Sequence, residues 1–145
     1  MLPRRICHSV RKREAVFSMT TSAHHTRILI VEDDASSRRS LERLFRLNGA
    51  EVATAASAEE ALAQLHWKPH WIVLDLHLSD DQGEEVLRAI REKELPIRVA
   101  VVTGSADRAR LAALQQFQPE CILIKPIHFS SLLECLKLSG APQPA

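Results

Sequence analysis

Four short apolar runs in this chain each end on a group that can do chemistry. RILIV (27–31) runs into Glu32-Asp33-Asp34, and WIVL (71–74) runs into Asp75. RVAVV (98–102) ends at Thr103-Gly104, and CILI (121–124) ends at Lys125-Pro126. A carboxylate closing a run apolar enough to be buried on both sides is costly unless it is paired, hydrogen-bonded or bound to a metal. Carboxylates crowded together also push each other's pKa values upward, and a divalent cation removes that conflict. Oxygen ligands without histidine nitrogen or cysteine sulfur favour a hard ion, Mg²⁺ rather than zinc. A lysine supplies a point charge for phosphate oxygens and a counter-ion for Asp75. A threonine hydroxyl can donate to a phosphoryl oxygen, and a carboxylate can act as a nucleophile and become an aspartyl-phosphate. Phosphoryl transfer asks mostly for positioning and charge neutralisation, which these groups supply if the fold brings them together.

The elements that would do so alternate along the chain. Strands are expected at 27–31, 51–55, 71–76, 98–103 and 121–125. Helices are expected at 35–49, 57–67, 82–93, 107–117 and 130–138. The first helix shows an apolar stripe of Leu41, Leu44, Phe45 and Leu47 with Gly49 as a stop. The second opens on a capping box, Ser57 with Glu60. Most strands are continuous apolar runs, so helices should cover both faces of a parallel sheet. The alternating EVATA (51–55) suits a less buried position. Right-handed crossovers then give an α/β fold with a doubly wound five-stranded parallel sheet. In such sheets ligands bind beyond the carboxyl ends of the strands, where Glu32, Asp33, Asp75, Thr103 and Lys125 all fall.

The bulk numbers exclude several classes. The chain has 145 residues, a length suited to one domain, with 46% hydrophobic and 26% charged residues. Net charge is +1 and aromatics make up 4%, so neither a strong field nor a base-stacking surface points to nucleic acid. No apolar run is long enough to span a membrane. Residues 1–26 carry five Lys/Arg against one acid, Glu14, and read as a basic, disordered tail or an overlong start before Met19. The His24-His25 pair in that tail reads as solvated. Residues 139–145 read as a loose C-terminal tail. Cys121 and Cys135 are expected to be buried free thiols in a reducing cytosol. Trp67 and Trp71 read as packing residues, Asp34 as a helix cap, and the Arg38-Arg39 pair as a wet helix face.

These residues together resemble the receiver domain of two-component response regulators, over residues 27–138. The resemblance rests on Glu32-Asp33 in LIVEDD, Asp75 in VLDLHLSDDQG, Thr103 in VVTG and Lys125-Pro126 in LIKP, in that order on those elements. It implies a flavodoxin-like (CheY-like) sheet of strand order 2-1-3-4-5. It implies that Asp75 accepts a phosphoryl group from a sensor histidine kinase or histidine phosphotransfer protein. Asp33, Asp75 and the backbone carbonyl of His77 would ligate Mg²⁺, with Glu32 acting through water. Thr103 and Lys125 would bind the phosphoryl oxygens, and the His77 side chain would tune water access. The Lys125–Pro126 bond is expected to be cis. With no room after Leu138 for a helix-turn-helix or an enzyme, the expectation is a stand-alone cytoplasmic switch or relay rather than an enzyme, with an unknown downstream protein and pairing on activation as partner modes.

The chain departs from the family pattern in places. Ser79 stands where a proline is common, although Gly83 is in place; Ile122 replaces an aromatic switch residue; and Gln118-Pro119-Glu120 replaces a small Gly-Ala step. These departures put the output face around the last strand in question and leave open a docking module that acts without phosphorylation. A haloacid-dehalogenase-like phosphatase would need a second Asp where His77 stands. A dinucleotide-binding domain would need a G-x-G-x-x-G after the first strand, and none is present.

Overall fold

A computed structural model describes residues 25–78, 82–105 and 107–138. The strands are β1 (Arg27–Val31), β2 (Glu51–Ala55), β3 (Trp71–Asp75), β4 (Arg98–Thr103) and β5 (Cys121–Ile124). The helices are α1 (Ala35–Leu47), α2 (Ala58–Ala63), α3 (Gly83–Glu92), α4 (Arg108–Leu114) and α5 (Phe129–Cys135). All sheet pairings are parallel, in the order β2-β1-β3-β4-β5.

Period-two alternation divides each central strand between two apolar layers. Leu29, Val31, Ile72, Leu74, Val99 and Val101 face one side, where they meet Val86, Leu87 and Ile90 of α3. Ile28, Ile30, Val73, Ala100 and Val102 face the other, with Phe45 of α1 and Leu132 of α5. With both faces covered, β3 is buried along its whole length and can be apolar throughout. Trp71 is buried and Trp67 packs against the first layer.

The caps follow the sequence closely. Asp34 accepts the Ser37 N–H at 2.8 Å and starts α1. Ser57 accepts the Glu60 N–H at 3.1 Å, while the Glu60 carboxylate reaches back to the Ala56 N–H at 2.8 Å, one residue earlier than a standard capping box. Gly49 takes a left-handed φ of 91° beyond α1.

Three expectations change. The helices expected at 57–67 and 107–117 each break into an α-helix and a 3₁₀ turn, at Leu65–Trp67 and Gln115–Phe117. Each turn runs into a left-handed residue, Lys68 or Gln118, before a proline, which disfavours continued helix in the residue preceding it. The stripe on α1 is narrower than expected: Phe45 is buried, but Leu47 is 72% exposed. At about 100° per residue, Leu47 sits about 200° around the helix from Phe45. The third concerns the cysteines. Cys121 and Cys135 are joined as a disulfide, not held as free thiols, because α5 runs back along β5 and sets their Cα atoms 6.3 Å apart.

Gly83 sets how closely α3 approaches β3. A Cβ there would lie 3.0 Å from both the Cα and the carbonyl oxygen of Leu76, and 3.3 Å from the carbonyl oxygen of Asp75. These are backbone atoms that cannot swing aside. Gly83→Ala is therefore expected to cost about 1–3 kcal/mol in urea unfolding. Gly104→Ala is the control, since its Cβ would meet only the His77 ring at 3.9 Å. Equal stability of the two variants would mean that α3 gives way freely.

Candidate functional site

Each strand of the central trio delivers one polar side chain to the carboxyl edge. Glu32 follows β1, Asp75 ends β3 and Thr103 ends β4, and they are 5%, 3% and 1% exposed. They are the buried polar or charged residues of an otherwise apolar interior among the described residues. Asp33 is half-buried beside them. One carboxylate oxygen from each of Glu32, Asp33 and Asp75 lies within 4.8 Å of the others.

Neighbouring backbone and one ammonium hold this cluster. The Asp34 N–H donates to Glu32 Oε2 at 3.1 Å, and the His77 N–H donates to Asp75 Oδ1 at 2.9 Å. Lys125 reaches over from β5, with Nζ 3.0 Å from Asp75 Oδ2 and 3.5 Å from Glu32 Oε1. The Lys125 N–H in turn donates to the Thr103 carbonyl at 2.8 Å, which registers the lysine against β4. The Lys125–Pro126 bond is cis. Asp75 is thus tolerated in the sheet because one oxygen is hydrogen-bonded to backbone and the other is paired with a cation.

The electrostatics remain unbalanced. Burial pushes the Glu32 carboxyl up to about 7, with the nearby Asp75 carboxylate adding to the rise against the pull of the Asp34 N–H and Lys125. Burial opposes the charge on Lys125, but its hydrogen bond and attraction to Asp75, with Glu32, hold its pKa above the usual lysine value. Asp34 lies lower than an ordinary aspartate because the Ser37 backbone N–H donates to it. A cluster with three carboxylates and one ammonium suits an added hard cation.

Above these groups a cleft of about 610 Å³ opens between α1 and the turn after β5. Glu32, Asp75 and Lys125 line it together with Ser36, Ser37 and Ser40 of α1. There is room for a phosphate-sized group next to Asp75.

The residues singled out in the sequence, Glu32, Asp33, Asp75, Thr103 and Lys125, therefore share one edge. Three features lay outside the sequence reading. Arg38 is not simply a wet face: its Nη1 donates to the carbonyls of Glu32 and Asp33 at 2.8 and 3.2 Å and braces the acidic turn. The His77 ring nitrogen Nε2 lies 3.1 Å from Thr103 Oγ1, a contact across 26 residues that spacing alone does not reveal. The third is the Cys121–Cys135 bond. Ser79 and His24 lie outside the described residues.

Comparison with known proteins agrees with this geometry. The model of the response regulator receiver domain matches residues 28–137. The transcriptional regulatory protein PrrA of Mycobacterium tuberculosis is 35% identical over 122 residues, which cover 82% of this chain and 52% of PrrA. The photosynthetic apparatus regulatory protein RegA of Rhodobacter capsulatus is 31% identical, over 81% of this chain and 64% of RegA. The chain thus spans about half to two-thirds of the length of these relatives. Among solved structures, a CheY-like receiver domain from Methanospirillum hungatei is similar with a TM-score of 0.73 at 28% identity, covering 80% of this chain and 94% of that one. The response regulator TrrA of Thermotoga maritima, solved in complex with Mg²⁺ and BeF, gives a TM-score of 0.69 at 26% identity, covering 77% of this chain and 96% of that one.

Proposed function

Because the chain belongs to the response regulator receiver domain family, we propose that Asp75 accepts a phosphoryl group from a phosphohistidine of a sensor kinase or phosphotransfer protein. The observation that carries this reading is Asp75 itself. It is a 3% exposed carboxylate that ends a buried strand, with Lys125 Nζ at 3.0 Å and two further carboxylates beside it, beneath an open cleft. In the transfer, an Asp75 oxygen forms the new P–O bond as the P–N bond to the donor imidazole breaks, and the imidazole leaves with a proton. Asp33, Asp75 and the His77 carbonyl would hold Mg²⁺, with Glu32 acting through water. Bound there, Mg²⁺ supplies positive charge against the phosphoryl oxygens. Lys125 would exchange its contact with Asp75 for one to a phosphoryl oxygen, and Thr103 would donate its hydroxyl proton to another. Residues 27–138 form the receiver unit in this reading, flanked by tails at 1–26 and 139–145. The setting is the cytoplasm, where the kinase domain would be met, and the output goes to a downstream protein or to a second activated copy. No described helix is long and apolar enough to cross a membrane.

The test is the intact mass of the chain after incubation with acetyl phosphate. One added phosphoryl group in Mg²⁺, absent with a chelator, is expected. No gain under conditions that label another receiver would favour a docking module that works unmodified.

The contact between His77 and Thr103 bears on the response. Thr103 Oγ1 already accepts the Ser105 N–H at 3.1 Å. With the ring Nε2 unprotonated, the His77 contact takes up the hydroxyl's proton, the one a phosphoryl oxygen would need. To engage a phosphoryl group, Thr103 has to leave the ring. His77→Ala is therefore expected to tighten binding of beryllofluoride in Mg²⁺ by about threefold, in line with loss of one modest hydrogen bond. Fluorine NMR titration measures this, and the gain should vanish in a Thr103→Ala background. An unchanged affinity would mean that the ring does not restrain the hydroxyl.

A further inference from the structure

β5 and α5 form a hairpin. Cys121 opens the strand and Cys135 closes the helix, and the disulfide between them fastens the open end, 14 residues apart in sequence. The other end of the hairpin is the turn that carries Lys125, four residues beyond Cys121. β5 is an edge strand, paired with β4 alone. Whatever fixes the base of this hairpin therefore limits how far the lysine-bearing turn can shift.

Apolar packing holds the hairpin as well as the bond. Leu132, Leu136 and Leu138 are buried, and Phe129 packs edge-on against Phe45 of α1 with ring centroids 5.0 Å apart. Chains that rely on disulfides for folding lack a core of this kind. Both cysteines are also partly exposed, at the surface side of the second layer. Structural cystines resist exchange, whereas exposed ones are the labile kind.

We propose that Cys121 and Cys135 form a reversible thiol–disulfide site that exchanges with small thiols and disulfides and sets the mobility of the hairpin carrying Lys125. In oxidation, one thiolate of the pair attacks a low-molecular-weight disulfide, forming a mixed disulfide and releasing one thiolate. The second cysteine thiolate attacks the protein sulfur of that mixed disulfide and releases the other. The protein dithiol loses two electrons and two protons, and one small disulfide becomes two thiols. Reduction is the reverse. In the reduced state the two side chains remain as small apolar groups against the second layer, and the hairpin is held by packing alone.

The experiment uses the 145-residue chain carrying Cys7→Ser, which removes the third cysteine of the sequence, equilibrated in glutathione buffers of varied ratio, acid-quenched and alkylated. Intact mass should pass from two alkylated cysteines to none as oxidised glutathione increases. Hydrogen exchange over residues 129–138 should be at least about fivefold slower in the oxidised form, as expected when a local opening is restrained. A chain carrying Cys121→Ser and Cys135→Ser should exchange at one rate at every ratio. A bond that survives excess reduced glutathione and opens only on unfolding would overturn the proposal by making it a fixed staple. Two free thiols at every ratio, or equal hydrogen exchange in both forms, would also overturn it. A consequence for phosphorylation rests on the receiver reading: labelling of Asp75 should differ between the two forms and not respond to glutathione in the serine variant. No label in either form would count against that reading while leaving the thiol result intact.

Discussion

Asp75→Asn is expected to abolish phosphoryl incorporation, to below about one-hundredth of the wild-type extent, since an amide oxygen is not a competent nucleophile for this transfer. The substitution is close to isosteric. The side-chain carbonyl can still accept the His77 N–H that now reaches Asp75 Oδ1 at 2.9 Å. What disappears is one negative charge from a cluster that already carries Glu32 and Asp33. Lys125 loses its 3.0 Å partner but is itself 39% exposed and keeps Glu32 within 3.5 Å, so it stays solvated and partly paired. The metal-free variant should therefore unfold at the same temperature as the wild type or higher, while its Mg²⁺ affinity falls at least about tenfold through loss of a charged ligand. Three measurements separate the roles: intact mass for the chemistry, thermal unfolding in chelator for the fold, and a Mg²⁺ titration for the ligand set. Labelling that persists in the Asn chain would move the acceptor to another residue. A variant that fails to fold would make Asp75 a structural group.

Most of this site was legible because strand ends are legible. A continuous apolar run identifies a buried parallel strand, and the first polar residue after it must emerge at the carboxyl edge; Glu32, Asp75, Thr103 and Lys125 were all found that way. Local capping was equally readable, since Asp34 and Ser57 act on backbone within three residues. Contacts made across the fold were not. The His77 ring meets Thr103 because β3 and β4 lie side by side and their ends stop at the same level. Cys121 meets Cys135 because α5 reverses along β5; their apolar neighbours in sequence suggest buried thiols and say nothing of their pairing. Arg38 was misjudged because an arginine on a first helical turn usually faces water, whereas here it folds back on the two carbonyls that precede the cap. The exposed Leu47 has the same origin: an i, i+3, i+4 pattern marks a helix, and only the neighbours decide how wide its buried face is.

Glu32 gives the metal-free protein an unusual pH dependence. Burial raises its folded-state pKa to about 7, against an ordinary carboxyl value of 4.5 in the unfolded chain. The folded state therefore binds the proton more tightly than the unfolded state between those two values. A group raised in this way contributes its full stability below about pH 4.5 and loses it as pH rises through about 7. Titration of Glu32 alone should thus make the chelated protein less stable at pH 8 than at pH 5, by an amount on the order of 1–3 kcal/mol. Ordinary surface carboxylates give the opposite slope at lower pH, so the effect is to be read between pH 5 and 8 by urea unfolding. Glu32→Gln removes the titrating group and keeps an oxygen for the Asp34 N–H, so its slope in that window should flatten and its stability at pH 8 should exceed that of the wild type. Mg²⁺ should do the same for the native chain by a different route, since a cation among Glu32, Asp33 and Asp75 offsets the charge that burial makes costly. Stabilisation by Mg²⁺ should accordingly be larger at pH 8 than at pH 5, where protons compete for the carboxylates. A Glu32→Gln chain with the wild-type slope would place the titrating group elsewhere. Equal stabilisation by Mg²⁺ at both pH values would separate metal binding from the acidic cluster, and with it the charge neutralisation on which phosphoryl transfer to Asp75 depends.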